Sequence, residues 1–382
     1  MPAEQLTSVP ADLAPSDGVT APVGFALVGA GTIARVTADA ISRLDGAELR
    51  LVVDRSAASA AALADEYGAQ WSDDVPGYLS APAAASVDVV VVSTPSGSHA
   101  DLVVPALEAA KDVLVEKPLE ITLDAAQRII DAEVRTGRVV GVVSQHRFDR
   151  ASERVVDAVR SGRLGRLTSA IASCAWWRSQ AYYDSSGWRG TWALDGGGAA
   201  MNQGIHVIDL MLAVMGDPVE VFAHTSRLAH ERIEVEDTAV ATVRFASGAL
   251  GAVHATTAAY PGVETSLRIF GDRGSAAIID DELAYFHVRG DGDAERVMGP
   301  GPGPSTNQAT DDDRLTRAEL GLGPSHGHQL RDMVRVVRAR RHGDPRAAPR
   351  VGTREGHQAL ALILAMYESA STGTKVRIPA AP

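Results

Sequence analysis

The chain has 382 residues, 45% of them hydrophobic, which is enough for a sizeable core and more than one ordinary domain holds. A net charge of -12 without a basic stripe argues against a nucleic-acid partner, and no apolar run approaches membrane-spanning length, so no membrane partner is expected. The single cysteine, Cys174, excludes an intramolecular disulfide and a cysteine-rich zinc site, fits a reducing cytoplasm, and leaves no metal expected.

In chain order, residues 1–23 carry Pro2, Pro10, Pro15 and Pro22 among Ala, Ser and Asp, without the charged start or apolar centre of a secretory signal. They read as a disordered extension. From Phe25 the pattern is a strand over 25–28, a glycine turn, an Ala-rich helix to Leu44 and a strand over 48–53, which is one βαβ unit. A helix over 57–67 and a short strand near 69–71 follow. The solid apolar run over 87–92 is typical of a parallel strand buried on both faces. Helices over 98–110 and 123–136 lead to strands over 113–115 and 139–143. These strands predict an α/β fold, a doubly wound parallel Rossmann sheet over residues 24–147.

After a helix over 151–161 the strands come consecutively, which predicts an α+β domain over 148–375 with a large, mostly antiparallel sheet. The expected strands are 167–177, 219–228, 235–245, 249–258, 264–270, 275–279 and 284–288, interrupted by one helix over 199–215. Residues 290–324 are rich in Gly, Pro and Asp and read as a surface linker, with a mobile lid as the alternative. Helices over 329–340 and 353–371 close the chain and are expected to pack back near the Rossmann domain.

Three stretches of the first domain carry chemistry. In Gly29-Ala30-Gly31-Thr32-Ile33-Ala34 the first glycine permits a tight turn and the second lets backbone approach a pyrophosphate at a helix amino terminus. This makes Gly29, Gly31, Thr32 and Ile33 candidate cofactor contacts. Asp54, at the end of the second strand, can accept from both ribose hydroxyls of NAD and would repel a 2'-phosphate. Arg55 beside it can stack on adenine, bind an NADP phosphate or face solvent; NAD is favoured and NADP is the alternative. Ser93, Thr94 and Pro95 end the long buried strand, where ligands of open α/β sheets bind, and His99 lies one helical turn further. Glu116-Lys117-Pro118 follows the next strand and puts a lysine beside the bound dinucleotide, with a cis Lys117-Pro118 bond as an option.

Together with Asp195-Gly196-Gly197-Gly198 leading to His206 and Asp209, these motifs resemble the glucose-fructose oxidoreductase and inositol dehydrogenase (Gfo/Idh/MocA) family over roughly residues 24–375. The resemblance implies that Lys117 hydrogen-bonds the reacting hydroxyl, that Glu116 lies near the nicotinamide ribose, and that His206 is a general base or proton relay. An ammonium there would stabilise a developing alkoxide, and an imidazole with its usual pKa near 6.5 can move a proton at neutral pH. A buried, satisfied histidine is the alternative for His206. Many members carry aspartate where this chain has Asn202, which can position substrate but cannot carry a proton. A subset with Met-Asn-Gln before the histidine, including UDP-N-acetylglucosaminuronate 3-dehydrogenases, is the nearer likeness. The family also implies a homodimer or homotetramer built through the open face of the second sheet.

Four of the chain's five tryptophans lie between Trp176 and Trp192, with Arg178, Tyr183, Trp188 and Arg189. Aromatic faces stack on pyranose rings and arginines bind carboxylate or phosphate, so these four residues are candidate substrate contacts; oligomer packing is the alternative. Gln145, His146 and Arg147 follow the sixth strand. Gln145 is expected on the cofactor and Arg147 on the substrate. His326-x-His328 lacks acidic companions in sequence and reads as structural. The function expected is an NAD(P)-dependent oxidoreductase acting on a secondary hydroxyl or ketone of a pyranose sugar, sugar acid or sugar nucleotide, at C3 by the subset's example. A cyclitol dehydrogenase and a non-catalytic nucleotide-binding sensor are the alternatives.

Overall fold

The structure is a computed structural model that describes residues 21–290 and 324–382. The expected extension at 1–23, apart from its last three residues, and nearly all of the segment 290–324 lie outside the described residues.

Two sheets organise the chain. The first contains β1 (Val23–Val28), β2 (Ala47–Val53), β3 (Gln70–Ser72), β4 (Val89–Val92), β5 (Asp112–Val115) and β6 (Val140–Val142), in the order β3-β2-β1-β4-β5-β6 and all parallel. β1 and β4 are buried along their whole length, as strands covered on both faces must be. Helix α1 (Thr32–Ser42) packs with α2 (Ala57–Tyr67) around Ala34, Ala38, Ile41 and Leu63 on one face. Helices α3 (His99–Glu108) and α4 (Leu123–Thr136) cover the other. The strand order reverses between β1 and β4, so the carboxyl ends of β1, β4 and β5 diverge around a crevice.

After α5 (Arg150–Arg160), the second sheet runs β13-β12-β11-β7-β10-β9-β8-β14. Its strands are β7 (Leu167–Ala175), β8 (Pro218–Ser226), β9 (Thr238–Phe245), β10 (Leu250–Thr256), β11 (Thr265–Gly271), β12 (Gly274–Ile279), β13 (Glu282–Val288) and β14 (Val376–Arg377). One neighbouring pair, β7 with β10, is parallel: after β7 the chain crosses through a helix to β8, and the antiparallel strands β8, β9 and β10 then bring it back beside β7. The two-residue β14, unforeseen because it is too short to show a pattern, pairs with the edge strand β8.

The crossover helix is not uniform: a π-helical stretch, Ala200–Gly204, precedes α7 (Ile205–Met215). Helix α8 (Pro324–Arg341) places Leu330, Met333, Val334 and Val337 in the cluster that holds Val23, Phe25 and Leu27 of β1. Helix α9 (Thr353–Thr372) lies between the sheets, touching β6 and α4 on one side and β8 and α7 on the other. No helix among the described residues is long and apolar enough to cross a membrane.

Candidate active site

A cleft of about 1320 Å³ opens at the carboxyl ends of β1, β4 and β5 and continues across to α7 and α6 (Gln180–Asp184). It exceeds the roughly 300–1,000 Å³ of ordinary small-molecule pockets and has room for a dinucleotide beside a second ligand.

At the Rossmann end, Gly29 has φ +102, and a Cβ added there would meet the Ser93 carbonyl oxygen at 2.7 Å. Only glycine lets the β1 turn lie this close to the end of β4. Gly31 opens α1 with no side-chain cap and no acidic residue in the first turn, which leaves the positive helix end for an anion. Asp54 accepts from the backbone of Ala30 and of Ser56, both at 2.8 Å, so its carboxylate stands fixed beside the turn. The Ser93 hydroxyl is buried without a partner among the described residues. An uncapped helix end, a backbone cradle that a methyl group would fill, a fixed carboxylate and an orphaned hydroxyl suit a dinucleotide with a free ribose diol. Thr32, Ile33, Arg55, Thr94, Pro95, Glu116 and Gln145 line the same cleft.

The reacting end is assembled from both halves of the chain. Lys117 follows β5, its peptide to Pro118 is cis, and its Nζ donates to the Asn202 carbonyl at 2.9 Å and to Asn202 Oδ1 at 3.2 Å. The π-helical stretch accounts for the first bond, since a widened turn disturbs the regular backbone ladder at this carbonyl. Asn202 Nδ2 donates to Asp195 at 2.6 Å, and Asp195 in turn accepts from the Gly190 amide at 2.8 Å. Burial lowers the pKa of Lys117, opposed by Glu116 and Asp195, while burial raises that of Glu116. His206 lines the cleft, and no hydrogen bond to its ring is made among the described residues. Its pKa is held well below the usual 6.5, first by burial and then by the charges of Lys117, His146 and His326.

Arg178, Trp188 and Arg189 also line the cleft. The guanidinium groups of Arg178 and Arg189 stack on Tyr182 at 5.0 and 4.7 Å from its ring centre, and each has a buried Nε without a partner.

Three expected contacts lie elsewhere. His99 is fully buried outside the cleft between the carbonyls of Pro118 (2.9 Å) and Thr94 (3.1 Å), and burial lowers its pKa to about 4. It braces the two loops rather than meeting a cofactor. Arg147 turns away to a bidentate pair with Asp209, Nε to Oδ2 and NH2 to Oδ1 both at 2.7 Å, so it is not free for substrate. Tyr183 is buried against Thr257, its hydroxyl 2.8 Å from Oγ1, and the neighbouring Tyr182 faces the cleft instead.

His146, expected at the cleft but not among its contacts, and the histidines read as structural also line it. His146 lies edge-on to His206, ring centres 5.1 Å apart, and its Nδ1 meets Asp149 at 3.0 Å and Asp281 at 2.9 Å. Asp281 comes from the β12–β13 turn, far in sequence, so no local pattern announces it. His326 and His328 also line the cleft, and Ser325 bonds Asp149; their acidic companion is close in space rather than in sequence.

A parallel sheet with its ligand crevice at the reversal point and a lysine at the end of β5, joined by an amide and an imidazole from the second half, defines an NAD-dependent oxidoreductase of CH–OH groups. The chain belongs to the Gfo/Idh/MocA family: residues 23–144 match the oxidoreductase family with NAD-binding Rossmann fold, and residues 152–277 match the GFO/IDH/MocA C-terminal domain. It is 32% identical over 254 residues to 1,5-anhydro-D-fructose reductase of Ensifer adhaerens, covering 66% of this chain and 74% of that one. It is 25% identical over 382 residues to D-glucoside 3-dehydrogenase of Escherichia coli K12, covering 94% and 98%. Among solved structures, the WlbA dehydrogenase of Bordetella pertussis in complex with NADH and UDP-GlcNAcA is 30% identical, covers 94% of this chain and 98% of that chain, and superposes with a TM-score of 0.82.

Proposed function

We propose that the protein oxidises or reduces a secondary hydroxyl or ketone, at C3, of a pyranose sugar, sugar acid or sugar nucleotide, with an anionic sugar as the favoured substrate. The observation that carries the last point is the pair Arg178 and Arg189 on Tyr182: two guanidinium groups in the cleft with no carboxylate partner among the described residues. Such a pair binds carboxylate or phosphate, and the Tyr182 ring on which both guanidinium groups rest holds them in place for it. The UDP-GlcNAcA bound by the Bordetella pertussis protein and the C3 position in the name of the Escherichia coli enzyme support the same reading.

NAD, when bound, supplies the two-electron redox partner. Lys117 has three N–H donors, two of them spent on Asn202, and the third is left for the reacting oxygen. Asn202, locked by Asp195, orients that lysine and the ring. His206 takes the hydroxyl proton during oxidation and returns it during reduction.

Arg178→Ala with Arg189→Ala is expected to raise KM for a UDP-sugar acid by about 10–100-fold, the worth of charge-assisted hydrogen bonds, while KM for an uncharged inositol barely moves. Turnover is followed by nicotinamide absorbance across a panel of sugars, sugar acids and cyclitols. Equal effects on both classes would remove the anionic-sugar reading, turnover on inositols that the double substitution leaves unchanged would favour the cyclitol reading, and NAD binding without turnover on any of them would favour a sensor.

The outer face of the second sheet exposes Ile171, Val240 and Leu250. A second copy of the chain covering them gives the homodimer or homotetramer of this proposal. Sedimentation at micromolar concentration should give a multiple of the chain mass, lost in Val240→Lys; a monomer would rule the interface out.

A further inference from the structure

We propose that His146 is a positioning residue of the proton-moving site: an imidazolium clamped by Asp149 and Asp281 and set edge-on against His206, it fixes the ring of that base and keeps it unprotonated. The inference rests on the reading of His206 as the group that moves the proton.

Several observations point the same way. A catalytic base is ordinarily oriented by a hydrogen-bonded third group, yet the ring of His206 has no such partner among the described residues. What touches it is His146, at 5.1 Å between ring centres and 81° between planes. His146 itself is fixed from separate parts of the fold. It sits on the short turn Gln145–Phe148 after β6; Asp149 precedes α5 and meets its Nδ1 at 3.0 Å; Asp281 reaches across from the β12–β13 turn to the same nitrogen at 2.9 Å.

The other ring nitrogen, Nε2, lies 3.3 Å from the amide nitrogen of Gln145, whose oxygen is buried without a partner. The two ends of an amide are told apart only by their hydrogen bonds. Exchanging them gives the orphaned oxygen a donor in His146 Nε2–H. Both ring nitrogens then donate, and only the charged form of histidine does that. Burial opposes the charge, but the bonds to Asp149 and Asp281 outweigh it and push the pKa up to about 9.

Among the described residues, Arg150, Asp280 and Glu282 line the same cleft, and the groups that act most on the pair are nearer. His206 faces Lys117 from the end of β5, His146, and His326 from the start of α8. His146 faces Asp149, Asp281 and His326. The charges of Lys117 and His146 each disfavour protonation of His206, so His146 extends the range in which His206 can accept a proton towards lower pH; His326, whose own pKa burial lowers to about 4, is uncharged near neutrality. The carboxylates that hold His146 in its charged form belong to different layers, so the β12–β13 turn acts on the reacting site through this ring.

The test is a titration of the imidazole signals by NMR on the full chain with NADH bound, which needs no knowledge of the sugar. In the wild type, His146 should stay charged through neutral pH and His206 should titrate below 6.5. His146→Gln removes the charge and retains a polar group; it should raise the His206 midpoint by about one unit or more. Asp281→Asn, away from the ring, should raise it less and lower that of His146. The acidic limb of kcat/KM on an accepted sugar should move with the His206 midpoint in each variant.

An unchanged His206 midpoint in His146→Gln, or a wild-type His146 that titrates near 6.5, would overturn the proposal. So would a divalent ion, zinc or manganese, that binds stoichiometrically and restores activity lost to a chelator, since the Nδ1 of His146 and the two carboxylates lie within 4.8 Å of one another and would then be its ligands. If the midpoints move as expected while no variant changes turnover on any sugar, the positioning stands and the proton role of His206 falls.

Discussion

Lys117→Met is expected to lower kcat by about 10²–10³-fold, the loss seen when one preorganised donor to a developing oxyanion is removed. Methionine keeps the length and apolar stem of the side chain but carries no charge and no N–H. The substitution therefore also breaks the bonds to the Asn202 carbonyl and side chain. Because Asn202 stays anchored to Asp195, the π-helical stretch should survive, and thermal melting should change far less than turnover. NADH binding, followed by nicotinamide fluorescence, should be retained, since the phosphate and ribose contacts lie at the other end of the cleft. A loss below about tenfold, roughly 1.4 kcal/mol in the barrier, would remove Lys117 from the reacting oxygen.

His206→Asn should cost about 10²–10⁴-fold in kcat, the usual worth of a positioned acid or base. The pH profile is the more telling readout. In the wild type, burial and the neighbouring cations hold the pKa of His206 well below 6.5. A base with a lowered pKa remains unprotonated, and so competent for oxidation, down to that lower value. The profile for oxidation should therefore be flat around neutrality and fall only in acid below 6.5; in His206→Asn the acidic limb should disappear. A limb that persists at the same pH in the variant would assign it to another group.

Regular elements were legible because their signals are periodic. The six strands of the first sheet follow from apolar runs separated by helical spacing, and the β-branched run Val89–Val92, short and followed by Ser-Thr-Pro, fits a strand buried on both faces. The order of the second sheet was less so, since the parallel pairing of β7 with β10 depends on a crossover that no local pattern encodes. At the cleft, Lys117, Asn202 and His206 stand beside motifs with fixed spacing. The residues misread stand on elements too short to have a phase. Gln145, His146 and Arg147 occupy a tight turn with about three residues per revolution, so successive side chains point in different directions. Gln145 and His146 face the cleft and Arg147 goes to Asp209. Tyr182 and Tyr183 sit on the five-residue helix α6, where nothing in the sequence says which is inside. His99 went astray for another reason: it follows a cofactor motif, but burial between two carbonyls takes it out of reach.

Helix α8 completes a core that β1 begins some three hundred positions earlier, since Leu330, Met333, Val334 and Val337 pack with Val23, Phe25 and Leu27. On the ribosome the first domain is thus unfinished long after its own strands have emerged. At about 5–20 residues per second, the wait between the end of β6 and the arrival of α8 is roughly 10–40 s. Throughout that interval the part of the nascent sheet's face that α1 and α2 leave open lacks its cover, a sticky patch for chaperones to shield. A fragment ending before α8 keeps that bare patch permanently and should precipitate at a lower concentration than the intact polypeptide when the two are expressed side by side.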